Sequence, residues 1–306
     1  MSENTFMKAI GENLNVINKR IGQAFKDKDA VPIREMAERV AASQVDFIDI
    51  NLGPARKGGE ELMTWVVETV QEVTDIPLCL DTSNVAAMTA GLKVCKKKAI
   101  MNSIMARPER YEVMLPICAE YGANMIALMW GPNGMARDAN ERAELVTELM
   151  MAAQAHGIPM ADIWVDPIVT PVNIQQEQLM NNLGFFDMLP DIAAAIDPEG
   201  GLCKSTNGLS NVSNGNPDHL RPILNQTYMI MLQRKGMYSS IVDAFDPVIM
   251  DICRGKRQDI VDLVYGVMDG KEYVYSGMDK EAVNYIKTAK VVLGHSLFSE
   301  SWLDVD

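Results

Sequence analysis

Six stretches of the chain carry one pattern, an apolar run that ends in Asp, Asn or Ser. They are GENLN at Gly11, DINLG at Asp49, LDTSN at Leu80, MNS at Met101, VDP at Val165 and NGLSNVSNG from Asn207 to Gly215. A seventh, SSIVDAF from Ser239, brings in Asp243. Taken singly, each Asp reads equally well as a helix N-cap, and the Asn207 stretch reads as a tight turn, because Asn tolerates left-handed backbone and bonds its own main chain. Taken together, they gather Glu12, Asn13, Asp49, Asn51, Asp81, Asn102, Asp166, Asn211 and Asp243. That set is carboxylates and carboxamides, without histidine. Its oxygens suit a hard cation such as magnesium, held by Asp49, Asp81 and Asp166. They suit equally a flat heterocycle that presents mixed donors and acceptors. Zinc chemistry is excluded, since the five Cys sit singly and His156, His219 and His295 fall in helix or loop positions. Asn211 stands in a loop with no acid beside it, so it is expected to orient or bond a reacting atom without itself donating a proton.

The elements that must carry these residues alternate regularly. Met7 to Gly11 reads as a first strand that enters a polar loop at Glu12 and Asn13. Asn18 to Ser43 follows at helical spacing, with Pro32 in a first turn where its missing N–H costs nothing. Phe47 to Leu52 alternates apolar and polar residues, and Glu60 to Val73 then presents Leu62, Trp65, Val66, Val70 and Val73 on one helical side. Further strands are predicted from Pro77, Ala99, Asn124 (running to Trp130), Ile163, Gly200 (running to Ser210) and Ser239, each followed by a helical segment. The intervening helices are placed at 84–93, 108–121, 139–156, 175–195 and 220–235. Eight strand–helix units specify a parallel sheet that closes as a (β/α)8 barrel. An open doubly wound sheet is the alternative, but GENLN lacks the glycine-rich fingerprint expected after its first strand. The composition does not shift along the chain. One domain over 1–306 is expected, with a helical extension from Asp251 onward. In such a barrel the C-terminal strand ends form the site, and these are the ends that carry the polar set.

Bulk properties narrow the partners. The chain has 306 residues, 48% of them hydrophobic, which is enough for a large core. Its 28 basic against 41 acidic residues give a net charge of −13, which repels phosphate backbones and excludes nucleic acid as a partner. No run reaches the roughly 18 apolar residues of a membrane span, and the N-terminus lacks the apolar core of a secretory leader. A cytoplasmic protein is expected. Cys79 and Cys118, in apolar runs, read as small core residues in a reducing compartment, and the 22 Met as flexible core fillers.

Several longer blocks resemble the pterin-binding methyltransferases that act with a corrinoid protein. They are IGENLN, DFIDINLGPA, LCLDTSN followed by AGLKVCKKKAIMNS, PMADIWVDPIVTP, and GLSNVSN continuing to RPILNQTY, in order from Ile10 to about Asp243. More distantly they resemble dihydropteroate synthase and the folate domain of cobalamin-dependent methionine synthase. The resemblance implies a (β/α)8 barrel assembled as a homodimer. It implies methyl transfer between N5 of tetrahydrofolate and the cobalt of a corrinoid on a partner protein, with no tightly bound cofactor, and the missing His and Cys clusters add an expectation of metal independence. By the same resemblance Asp81, Asn102 and Asp166 hold the pterin ring and Asn211 sits near N5 as the catalytic residue. Glu12, Asn13, Asn51 and Arg221 complete the pterin-binding set. The physics is consistent, since a pterin's pyrimidine edge offers adjacent N–H donors to a carboxylate such as Asp166.

Two departures bear on the partner. After MNS the chain continues with Ile104 and Met105 where the family often has small polar residues, and the segment from Val169 to Asn207 is long. Loops at the mouth select the partner. These departures favour the direction from methyl-corrinoid to tetrahydrofolate, in demethylation of methylated amines or methoxylated compounds. The opposite direction, supplying a corrinoid protein for acetyl synthesis, is the alternative. Dihydropteroate synthesis would need cations for a pyrophosphate leaving group, which the SSIVDAF end lacks. A barrel that only cradles a corrinoid partner would have no need of the pterin set.

Overall fold

The computed structural model describes residues 7–55 and 57–304, so the reading of the first residues as leaderless lies outside it, as do the two extremes of the 1–306 domain. Eight strands lie parallel in one sheet. They are β1 (Lys8–Asn15), β2 (Phe47–Gly53), β3 (Leu78–Thr82), β4 (Ile100–Met105), β5 (Asn124–Leu128), β6 (Ile163–Asp166), β7 (Lys204–Ser205) and β8 (Ser239–Val242). From β1 to β7 each strand pairs with the next, and β8 pairs with β1, with Lys8 opposite Ser239 and Gly11 opposite Val242. The β7–β8 seam is joined outside the named strands, through a parallel bridge between Gly208 and Ile241. There the Ile241 N–H donates to the Asn207 carbonyl at 2.8 Å, and Ser239 Oγ donates to the Ser205 carbonyl at 3.1 Å. The Tyr238 N–H donates to Ser205 Oγ at 3.1 Å. The result is the (β/α)8 barrel that the alternation predicts, closed at its last seam partly by serine side chains.

The connecting helices are α1 (Lys19–Asp27), α2 (Ala30–Ala42), α3 (Gly59–Gln71), α4 (Val85–Val94), α5 (Pro108–Tyr121), α6 (Ala139–Ala155), α7 (Val172–Ile196) and α8 (Arg221–Arg234). After β8 come α9 (Pro247–Cys253), α10 (Gln258–Met268) and α11 (Lys280–Val292), the last two packed on α8. The helices that follow the strands carry an apolar side toward the sheet, while α10 and α11 turn theirs to one another and to α8. In α3, for example, Met63, Val66, Val67 and Val70 recur at helical spacing and are buried. No described helix is long and apolar enough to cross a membrane.

Some boundaries differ from the sequence-based expectation, each for a local reason. The helix expected over 18–43 is two. Lys28 takes a left-handed conformation that ends α1, and Asp29 accepts the Val31 N–H at 3.0 Å to start α2. The strand expected to run to Trp130 stops at Leu128. Trp130–Gly131 instead pairs antiparallel with Gly134–Met135 in a small hairpin on the barrel rim. β7 is far shorter than 200–210, because Leu209–Ser213 winds into a 3-10 turn. β1 runs past Gly11 to Asn15, with its register broken between Gly11 and Leu14, so Glu12 and Asn13 lie within a bulged strand. Bulges of this kind re-aim side chains beside active sites. The β4–β5 register breaks likewise between Met101 and Ile104, on either side of Asn102.

The barrel interior is layered. Ile10, Cys79, Ile100, Ile126, Trp164 and Ile241 form an apolar cluster, joined by Phe47 and Tyr238, that is separate from the larger core between sheet and helices. Trp164 sits edge-on between Phe47 and Tyr238, with ring centroids 5.4 and 5.1 Å away. Side chains two residues further along a strand face the same side. Two residues on from members of that apolar layer come Glu12, Asp49, Asp81, Asn102, Asp166 and Asp243. The barrel thus changes from an oil-like floor to a polar layer within one strand repeat.

Candidate active site

Register aligns part of this layer. Asn15 lies opposite Asn51, Asn51 opposite Asp81, and Asp81 opposite Asn102, one row across β1 to β4. Asn51 Nδ2 donates to Asp81 Oδ2. One row down, Asn102 Nδ2 donates to Asp49 Oδ1 at 3.3 Å. Asp49 is 2% exposed, and Cys79 hydrogen-bonds it from the floor. On the far side, Asp166 accepts the Ile168 N–H at 2.8 Å through Oδ1.

Burial above all sets the protonation of this layer. Burial pushes Asp81 up to about 7, against an opposing hydrogen bond from Asn51. Burial pushes Asp166 to about 7 as well, opposed by the Ile168 N–H and by the Arg142 guanidinium. Asp49 is held well above the usual carboxylate range by burial and by Asp81 beside it. These carboxyls therefore hold protons up to near neutrality. A ligand edge that supplies N–H donors would replace them.

A cleft of about 680 Å³ opens on the β1–β8 side, lined among others by Glu12, Asn13, Asn15, Ser210, Arg221 and Asp243. Asn13 Nδ2 donates to Asp243 Oδ1 at 2.7 Å, and Asn13 Oδ1 accepts the Ala244 N–H at 3.0 Å, so β1 and the end of β8 hold one another. Ser210 Oγ donates to Glu12 Oε2 at 3.3 Å. Burial pushes Glu12 up to about 7, eased by the Ser210 bond and by Arg221 and worsened by Asp243. The Arg221 Nε donates to Ser213 Oγ at 3.3 Å on the same rim. This corrects one expectation. An acid does stand beside the Asn211 loop, namely Glu12, reached through the residue that precedes Asn211.

Asn211 is exposed on the 3-10 turn, its N–H donating to the Gly208 carbonyl at 3.3 Å. Its Nδ2 lies 3.0 Å from where a Cβ on Gly208 would stand, so the missing side chain at Gly208 makes room for the amide. The anticipated residues thus fall into two groups at one barrel end. Asn51, Asp81, Asn102 and Asp166 line β2–β6, and Glu12, Asn13, Asn211 and Arg221 cluster around β1, β7 and β8. No group of three or more His, Cys, Asp or Glu among the described residues is arranged to hold a metal ion. Sequence reasoning missed Ser210 as the link to Glu12 and Arg142 as the cation near Asp166. The first lay inside a recognised loop, and the second carried no signal of its own.

Comparison with known proteins decides the family. The model for pterin binding enzymes matches residues 11–243, most of the chain and the whole run of barrel strands up to the last polar end. The chain belongs to the pterin-binding enzyme family. Among members, it is similar to the methylcorrinoid:tetrahydrofolate methyltransferase of Eubacterium limosum, 28% identical over 243 residues, covering 78% of this chain and 85% of that protein. It is 24% identical over 265 residues to methionine synthase of Mycobacterium leprae, covering 84% of this chain but only 22% of that longer protein. The pterin-binding fold also appears in solved structures. The dihydropteroate synthase of Xanthomonas albilineans superposes with a TM-score of 0.60 at 17% identity, over 83% of this chain and 93% of the other. The 7,8-dihydropteroate synthase of Vibrio fischeri gives 0.59 at 18% identity, over 85% and 97%.

Proposed function

We propose that this pterin-binding enzyme moves a methyl group from a methyl-corrinoid carried by a partner protein to N5 of tetrahydrofolate. The observation that carries the reading is the polar layer. It has carboxyls poised near neutrality and interleaved carboxamides above an apolar floor, a set that matches the donors and acceptors of a pterin edge. The similarity to a methylcorrinoid:tetrahydrofolate methyltransferase supports the direction.

In this reading the pterin lies across the layer. Asp166 keeps one oxygen on the Ile168 N–H and accepts adjacent N–H donors of the pyrimidine ring with the rest of its capacity. Asp81, fixed by Asn51, and Asn102, fixed by Asp49, bond the remaining ring atoms. The corrinoid supplies a cobalt that gives up methyl as a cation equivalent. As the N5–carbon bond forms and the carbon–cobalt bond breaks, the electron pair stays with cobalt and N5 must lose its proton. Glu12 Oε2, steadied by Ser210, takes that proton; an acid near 7 is matched to hold or release it at neutral pH. Asn211 turns its carboxamide to N5 and stabilises the charge that develops there. In the reverse direction the same atoms return the proton.

Calorimetric titration with tetrahydrofolate tests the reading, with saturable binding at one site per chain as the expected result. A chain that binds a methyl-corrinoid protein but not tetrahydrofolate would instead be a barrel that only cradles its partner.

A further inference from the structure

Asp166 sits on a turn that the chain holds under strain. Ile168 has φ +68°, a left-handed conformation that β-branched residues avoid. Two buried side chains grip that turn from the helix side. Asn182 Nδ2, from α7, donates to the Ile168 carbonyl at 3.1 Å. The Arg142 Nε, from α6, donates to the Pro167 carbonyl at 3.0 Å, and its Nη2 to Gln178 Oε1 at 2.9 Å. Arg142 is fully buried, lies near the N-terminus of α6 where the helix dipole opposes a cation, and has no ion-pair partner among the described residues. Its Nη1 finds no acceptor among the described residues. A stabilising role alone would be served better by an apolar side chain.

We propose that Arg142 is a positioning residue for Asp166, pinning the Pro167–Ile168 turn and setting an uncompensated positive charge beside the carboxylate. The role in catalysis rests on reading Asp166 as a pterin ligand; the Arg142–Asp166 link does not. The other groups that act on Arg142 are accounted for. Glu141 is engaged by Arg137, Asp138 caps α6, and Tyr228 of α8 is pushed up by burial and stays neutral. Arg142 lowers the proton affinity of Asp166 against the effect of burial. Without it the carboxyl holds its proton to higher pH, and a ligand that needs the ionised form is lost sooner as pH falls.

The test is a ¹³C-carboxyl NMR titration of the ligand-free chain, with Asp166 assigned by its loss in Asp166→Asn, beside tetrahydrofolate binding from pH 5 to 9. Arg142→Met should raise the Asp166 midpoint by about one pH unit or more and move the acid limb of folate binding with it. Arg142→Lys keeps the charge but loses the fork, so the midpoint should stay within about half a unit while folate affinity falls about tenfold. An unmoved midpoint in Arg142→Met overturns the proposal. Should that variant not fold, unchanged affinity in Arg142→Lys overturns it. A wild-type chain that binds no folate, with the midpoint still displaced by Arg142→Met, sinks the pterin reading and leaves the link intact.

Discussion

Ser210 and Glu12 are 198 residues apart in the chain, and Ser210 Oγ donates to Glu12 Oε2 at 3.3 Å. This bond ties the bulge of β1 to the turn that carries Asn211. It holds a carboxyl raised to about 7 against the turn whose next residue, Asn211, is proposed to face N5. Glu12 and Asn13 lie where the β1–β2 register is interrupted, the kind of bulge that re-aims side chains.

If Glu12 accepts the N5 proton, methyl transfer to tetrahydrofolate needs its ionised form. The rate should then rise with pH through about 7 and level off above it. Glu12→Gln should flatten that limb and lower kcat by about 10²-fold, the lower end of what a positioned acid or base contributes. A kcat–pH profile with the same limb in both proteins would remove Glu12 from the proton path.

Asp166 is expected to carry affinity more than rate. Asp166→Asn mispairs an amide with two N–H donors and should weaken tetrahydrofolate binding by roughly 1.5–3 kcal/mol, the scale of a charge-assisted hydrogen bond. Calorimetry showing unchanged affinity would take Asp166 out of the pterin set.

The strands were legible because their patterns are local. FIDINL and LCLD announce both the ladder and its polar end, with Asp81 closing the second, and MNS and VDP do the same for Asn102 and Asp166. What was hidden depends on long-range packing. The α1–α2 break rests on the backbone of Lys28 and a cap by Asp29, inside a run whose apolar spacing continues across it. β7 is two residues long and its seam to β8 relies on serine hydroxyls, so no apolar run marks its length. Arg142 reads as one more surface charge in the acidic and basic run that opens α6. Its burial appears only when Gln178 and the Asp166 turn close over it.

A site built to keep protons has a cost in stability. Asp81 and Asp166 are held near 7, above their unfolded values of about 4. A group raised in this way contributes stability that is full below the unfolded value and is lost as pH rises through the folded one. The melting temperature of the ligand-free chain should therefore fall from pH 5 to pH 8. Asp81→Asn should flatten part of that fall, since it also removes the charge that acts on Asp49. Parallel melting curves for both proteins over this range would contradict the assignment.

Gly208 offers a probe of Asn211 that leaves the amide itself in place. A Cβ there would stand 3.0 Å from Asn211 Nδ2, while the Gly208 backbone, at φ −85°, accepts alanine without strain. Gly208→Ala should keep the fold, shown by an unchanged melt, and reduce kcat about tenfold by turning the amide away. Normal turnover would mean that the orientation of Asn211 is immaterial.

The central claim is tested most directly by mixing the chain with tetrahydrofolate and methylcob(III)alamin and following the methyl–cobalt absorbance. Protein-dependent loss of that absorbance should appear, matched by 5-methyltetrahydrofolate. Asn211→Ala, folded to the same melting temperature, should run about 10²- to 10³-fold slower, as for one lost preorganised hydrogen bond. A chain that binds tetrahydrofolate yet leaves the methyl–cobalt absorbance at its protein-free rate would contradict the account.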